Sequence, residues 1–256
     1  MAGRRTRARS PELTYRLGCF TAGRERPSPA PRWVGTAEGR PMRQERAERT
    51  RSALVMSAAG QFDRQGYERT TLADVSRRAE VSKGALSFHF ANKAELADTV
   101  QSFGCAKASV WLARLREREQ PALQTLVDMT HLVVRQLRED ELTRAGVRLT
   151  NERETPCESP LHLPAVWQAA FRRVASDAAA DGSLSPGRSS RTVAALALSL
   201  VMHEQIRSRK VGDEAHGRLA DMWSLLLPSL AGPHACGPLR PGGGDQIGVL
   251  PVSGWR

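Results

Sequence analysis

The stretch that most constrains this chain is "TTLADVSRRAEVSKGALSFHF", residues 70–90. It holds two short helical runs, "TLADVSRRA" and "KGALSFHF", separated by the tight turn "EVS". Just upstream, Leu54, Ala58 and Phe62 recur every fourth residue with Arg and Glu between them. That is the apolar stripe of a longer helix, opening at Met42 and ending near Gln65-Gly66, where glycine is the expected stop. Thr70 or Thr71 caps the second helix, Asp74 takes the acidic position of a capping box, and Leu72, Val75 and Ala79 face inward. Ser82 caps the third. Two short helices joined by a brief turn and held against a longer one make a helix-turn-helix.

The third helix is lined by small or hydrogen-bonding residues: Lys83, Gly84, Ala85 and Ser87. A helix that enters the major groove must bring its first residues to base edges, so bulk is excluded there and Lys or Ser can donate to acceptors. Gly84 costs up to about 1 kcal/mol of helix propensity, which close approach of backbone to DNA would offset. Leu86, Phe88 and Phe90 are read as packing residues. Thr70, Thr71 and Lys93 stand at helix starts, where free N–H groups and added donors suit phosphate oxygens. Each singly also fits a plain cap or a solvated charge.

Beyond residue 93 the period stays helical, with helices expected at 94–119, 121–137, 140–152, 161–181, 189–208 and 214–230, broken at Pro121, "TPCESP", "DGSLSPG" and "KVGDEAHG". No stretch alternates with period two. The expected fold is all-α: a three-helix head on a larger helical body, followed from residue 232 by a flexible Gly/Pro-rich tail. Residues 1–41 carry nine arginines against three glutamates, about half of the chain's net charge of +11, and show no helical period. They read as a disordered basic extension, either upstream of the true start or an arm for the DNA backbone.

Several function classes fall away. "HEQIR" at 203–207 has Arg207 where a zinc signature needs its second histidine, and "GGGD" at 242–245 lacks the lysine and strand of a phosphate loop. Cys19, Cys105, Cys157 and Cys236 form no CxxC pair and read as lone thiols in a reducing compartment. No catalytic residue, metal or cofactor is expected. No apolar run reaches membrane-spanning length and the first forty residues hold no apolar signal core, so a cytoplasmic protein without membrane contact is expected.

"GQFDRQGYERTTLADVSRRAEVSKGALSFHFANKAEL" resembles the DNA-binding head of the TetR family of bacterial repressors, with "V-S-K-G-x-L-x-x-H-F-x-x-K" its specific part. The resemblance implies a DNA-binding domain at 43–103, with the helix-turn-helix at 71–90, and a ligand-binding and dimerisation domain at 104–231. It implies a homodimer on double-stranded DNA, two recognition helices entering successive major grooves of a palindromic operator. The DNA-facing set so implied is Thr70, Thr71, Ser82, Lys83, Gly84, Ala85, Ser87, His89 and Lys93. The family usually has tyrosine where this chain has Ser87, which puts operator preference in question, not the fold.

"RAGVRL" at 144–149 and "DMWSLLLP" at 221–228 are similar to the γ-butyrolactone autoregulator receptors and pseudo-receptors within that family. By that resemblance Trp167 in "LPAVWQAAF" closes over a small effector, its indole offering an apolar wall and one N–H. Trp111 and Trp223 read as core or dimer-interface residues. His203 and Glu204 interrupt an apolar helix; a buried glutamate is costly unless paired, so surface exposure is expected, with a more polar pocket as the alternative. The helices at 189–208 and 214–230 are the candidate dimer interface. Release from DNA by a γ-butyrolactone-type signal, an antibiotic or an intermediate is the function expected. A drug-sensing repressor of an efflux gene and a ligand-independent DNA-binding protein are the alternatives.

Overall fold

Cap and turn chemistry builds the first four helices of the computed structural model, which describes residues 40–208, 215–233, 235 and 237–244. Helix α1 (Arg40–Arg69) begins two residues before Met42, and Gly66, at φ 83° and ψ 176°, breaks it so that the continuous helix ends at Gln65. Glycine is doubly needed there, because a Cβ would fall 2.6 Å from the Arg148 guanidinium and the Glu152 carboxylate. Thr71, not Thr70, caps α2 (Leu72–Arg78): its oxygen accepts the Asp74 N–H at 3.2 Å and its hydroxyl donates to the Asp74 carboxylate at 2.6 Å. That hydroxyl is the main cause holding the Asp74 carboxyl below its ordinary value. After Glu80 turns the chain at φ 55°, Ser82 caps α3 (Lys83–His89) by accepting the Ala85 N–H at 3.2 Å. Asn92 caps α4 (Lys93–Arg116), and Glu95 reaches back to the Ala91 N–H at 2.8 Å.

The remaining helices are α5 (Ala122–Glu139), α6 (Glu141–Glu152), α7 (Leu163–Ala180), α8 (Ser190–Ser208) and α9 (Ala215–Leu230), each within three residues of its expected bounds. Among the described residues the only strand-like pairing is one isolated bridge, Leu184 with Ala231. It closes the body where the turn before α8 meets the end of α9: the Ser185 N–H donates to Leu230 and the Gly232 N–H to Ser183, at 2.7 and 2.8 Å.

Two apolar cores result. The body core runs through α4, α5, α7, α8 and α9, with Trp167, Phe171 and Trp223 among its fully buried members. The head core joins Leu54, Phe62, Val75, Leu86 and Phe90 to Leu96 and Val100 of α4. It also takes Leu142, Ala145 and Leu149 from α6, a helix expected to belong to the body. Small residues allow this double membership. A Cβ on Gly146 would press to 3.2 Å from Leu163, and Gly104 of α4 lies against the same side chain and the Leu142 carbonyl. The "RAG" of α6 is therefore where head and body helices cross closely.

Three expectations are corrected. Phe88 does not pack; it is 83% exposed, while Leu86 and Phe90, on the opposite side of the short helix, are buried. Glu204 is not on the surface. It is buried against Arg218 of α9, with carboxylate-to-guanidinium distances of 2.9 and 3.4 Å, so two helices share a neutralised pair that permits the burial; His203 is exposed as expected.

Nor is the tail wholly loose. Residues 237–244 lie along α5: Gln124 exchanges two hydrogen bonds with the Arg240 backbone, the Gly244 N–H donates to Asp128 at 2.9 Å, and the His131 ring meets the Pro241 carbonyl at 2.8 Å. Glycine makes the turn possible at Gly243, with φ 81°. Composition signals a loop here but not its docking partner. Truncation after Ala235 should lower the unfolding free energy by about 2–4 kcal/mol, since those bonds are worth about 1 kcal/mol each. Urea unfolding checks this, and an unchanged midpoint would show the strap to be idle. The expectations for residues 1–39 and 245–256 lie outside the described residues.

Candidate functional site

Leu86 on α3 and Phe90, which caps it, are buried in the head core, and the opposite side of the helix faces out. Ser82, Lys83, Gly84 and Ser87 are exposed; Ala85 and His89 are half-buried. Lys83 and Ser87 are one turn apart, as are Gly84 and Phe88, so the four form one outward stripe. Nothing lies within 4 Å of a Cβ built on Gly84. This stripe can offer hydrogen-bond donors, a smooth backbone and one aromatic ring to a groove about the width of a helix.

The helix-start residues divide. Thr71 is exposed but its hydroxyl is engaged in the cap. Thr70 is a correction: it is 1% exposed, its hydroxyl donating to the Gly66 carbonyl at 2.7 Å, so it closes the end of α1 instead of facing outward. Lys93 is another. Its ammonium donates to the Tyr67 and Glu68 carbonyls at 3.0 and 3.2 Å and sits 4.4 Å over the Tyr67 ring. It binds the carbonyl end of α1 to the start of α4, where a cation suits the helix dipole. From sequence both looked like phosphate donors because a capping residue and a phosphate ligand share the same chemistry.

What sequence reasoning missed is the fastening of this head to α6. Arg144 chelates Asp63 of α1 with Nε and Nη2 at 2.9 and 2.8 Å, and also donates to the Arg138 carbonyl. Arg148 donates to the Asp63 carbonyl at 2.8 Å and to Glu152 at 2.6 Å; Glu152 in turn accepts the Tyr67 N–H at 2.6 Å. Arg78 of α2 reaches Glu141 at 3.2 Å. The arginines of "RAGVRL" thus hold α1, and four residues of spacing put both on one face. Burial opposes the charge of Glu152, yet the Tyr67 N–H and the Arg148 guanidinium outweigh it and hold the carboxyl below its ordinary value of 4.5. Its stabilising contribution is complete above 4.5 and disappears as pH falls through the lower native value. Glu152→Gln should therefore be less stable than the parent at pH 7, with the gap closing on acidification. Thermal melts from pH 7 to 3 test this, and a gap independent of pH would contradict it.

The predicted effector residue, Trp167, lies in the body core, 0% exposed, and its indole Nε1–H has no hydrogen-bond partner. By contrast the equally buried Trp223 donates to the Thr130 hydroxyl at 2.9 Å, as a structural indole should. Trp111 is also buried. Cys105 is inert, its thiol pushed up to about 11 by burial. Among the described residues no group of three or more His, Cys, Asp or Glu is placed to hold a metal ion, and no helix is long and apolar enough to cross a membrane.

Comparison with known proteins agrees with this geometry. Residues 54–100 match the family described as bacterial regulatory proteins, tetR family. The chain is 32% identical to the A-factor receptor protein of Streptomyces griseus over 203 residues, 78% of this chain and 71% of that one. A crystal structure of a gamma-butyrolactone receptor (ArpA-like protein) superposes with a TM-score of 0.61 at 30% identity, covering 75% of this chain and 92% of that one. The TetR-family protein CprB of Streptomyces coelicolor, solved in complex with its operator sequence, gives 0.60 at 30% identity, covering 73% and 91%.

Proposed function

Since this chain belongs to the tetR family of bacterial regulatory proteins, we propose that it is a transcriptional repressor that leaves a palindromic operator when a small effector enters its body. The observation that carries the DNA half is the outward stripe of α3, donor-bearing and nearly free of bulk, on a helix whose other side is anchored by Leu86 and Phe90. Ser82, Lys83, Gly84, Ala85, Ser87 and His89 are its DNA-facing set, with Thr71 beside it. Thr70 and Lys93 act on the head itself. A homodimer through α8 and α9 fits the exposed Leu225 (81%), an apolar side chain on the outer face of α9.

The sensing half rests on Trp167. A buried N–H without a partner costs about 1–3 kcal/mol, and a ligand carbonyl would repay it. The same side chain supplies an apolar wall, so a small lactone or a comparable oxygenated metabolite is the effector class proposed. The A-factor receptor's similarity across most of the body, and not the head alone, favours this over a drug-sensing efflux repressor. Release requires two states that the effector distinguishes. Lowering operator affinity a thousandfold takes about 4 kcal/mol of differential binding. The head is held by α4 and by the α6 arginines, so a ligand that shifts α7 against those helices re-aims α3 through both.

Footprinting the purified homodimer on its own upstream DNA tests the reading. One palindromic site of about two helical turns is expected, with protection lost on adding a γ-butyrolactone or a product of the neighbouring pathway. Site-specific binding relieved by none of them would leave the repressor and sink the sensor. Binding without site preference would sink both.

A further inference from the structure

Phe88 is the most exposed large apolar side chain among the described residues, and it sits on the outward stripe of the helix argued to enter DNA. Resting on that DNA-binding reading, we propose that Phe88 is a specificity-determining residue that reads a thymine by its C5-methyl group. A phenyl ring has no donor or acceptor for a phosphate or a base edge. The methyl of thymine is the apolar feature the major groove offers it, and no other base carries one there.

The neighbouring residues are shaped for this contact. Long side chains on a helix lean toward its N-terminus, so the ring of Phe88 projects over the turn that carries Gly84. Gly84 has open space where a side chain would be, which leaves the flank of the ring clear for a base. On its other side the ring meets His89 edge-on, centroids 5.3 Å apart at 82°, which limits its rotation. Ser87 is short and does not screen it. The glycine that suits close approach to DNA and the exposed phenylalanine together make one apolar notch beside Lys83 and Ser87.

The test uses the full-length protein and the operator duplex located by footprinting. Each thymine of both half-sites is replaced in turn by uracil, which removes the methyl and leaves every hydrogen-bonding group in place. Burial of one methyl is worth about fourfold, so paired substitution in two half-sites should weaken the parent about fifteenfold at one thymine position. Phe88→Ala should weaken binding to the thymine duplex by a similar factor and show no further loss with uracil, while Phe88→Leu keeps part of the discrimination. Because the side chain is exposed, both variants should melt with the parent, which separates a contact from a folding defect. Uracil-insensitive binding by the parent, or parent-like affinity in Phe88→Ala, overturns the proposal while leaving DNA binding intact. Absence of any site-specific binding overturns the underlying function as well.

Discussion

Lys107→Met is expected to destabilise the protein by about 3–5 kcal/mol, because it leaves a buried carboxylate without its counter-charge. Lys107 on α4 and Asp140 at the start of α6 meet at 2.9 Å, and each side chain is only 6% exposed. Asp140 also caps α6, its other oxygen accepting both the N–H and the hydroxyl of Thr143 at 3.1 and 2.6 Å. The double variant Lys107→Met/Asp140→Asn should recover most of the loss, since asparagine caps a helix as well as aspartate and carries no charge to strand. Urea unfolding of the parent and the two variants decides the matter. A double variant as weak as the single one would show that the lost packing of the lysine stem, not the uncompensated charge, is responsible. The pair joins α4 to α6, the two helices that hold the head, so the single variant should also soften the operator footprint at temperatures where the body is still folded.

Why this pair was not legible in the sequence, while the head was, follows from the range of the interactions. The head is built from contacts a few residues apart: Thr71 with Asp74, Ser82 with Ala85, Asn92 with Glu95, and the four-residue stripe of α1. Each leaves a local pattern, and the helix bounds followed within three residues. Phe88 was misread because three apolar residues in five suggest packing, whereas a seven-residue helix buries only one side and 88 falls two residues from either buried neighbour. Pairings such as Lys107–Asp140, Glu204–Arg218, Arg144–Asp63 and Gln124–Arg240 join residues 14 to 116 positions apart. A charged or amide side chain on a helix looks the same in sequence whether its partner is water or a distant helix. The arginines of "RAGVRL" were noticed only as a resemblance; their work, gripping α1 through Asp63, required the fold. The same holds for Gly244 within "GGGD", a run that lacks the marks of a phosphate loop: its N–H ties the strap to Asp128.

Trp167 carries the other large expected effect, and two variants separate its roles. Trp167→Ala should cost about 3–5 kcal/mol, the range for emptying a large aromatic side chain from a packed core. It should also abolish release by the effector, because wall and donor are both gone. Trp167→Phe is the sharper probe. It keeps most of the apolar volume and removes the partnerless N–H, so the unliganded protein should be as stable as the parent or slightly more so, the cavity left by the smaller ring offsetting the relief. Operator binding should not change, since residue 167 is remote in sequence and core from α3. Effector-induced release should need about tenfold more ligand, the loss of one buried hydrogen bond worth about 1.4 kcal/mol. At Trp223 the order reverses: Trp223→Phe removes the indole donor from the Thr130 oxygen, whose hydroxyl still donates to the Val127 carbonyl, and should lower stability while leaving the effector response in place. Melting curves and effector titrations on footprinted operator distinguish the two indoles. If Trp167→Phe is destabilised like Trp223→Phe and responds to effector like the parent, Trp167 is a core residue and the effector site must be sought elsewhere in the body.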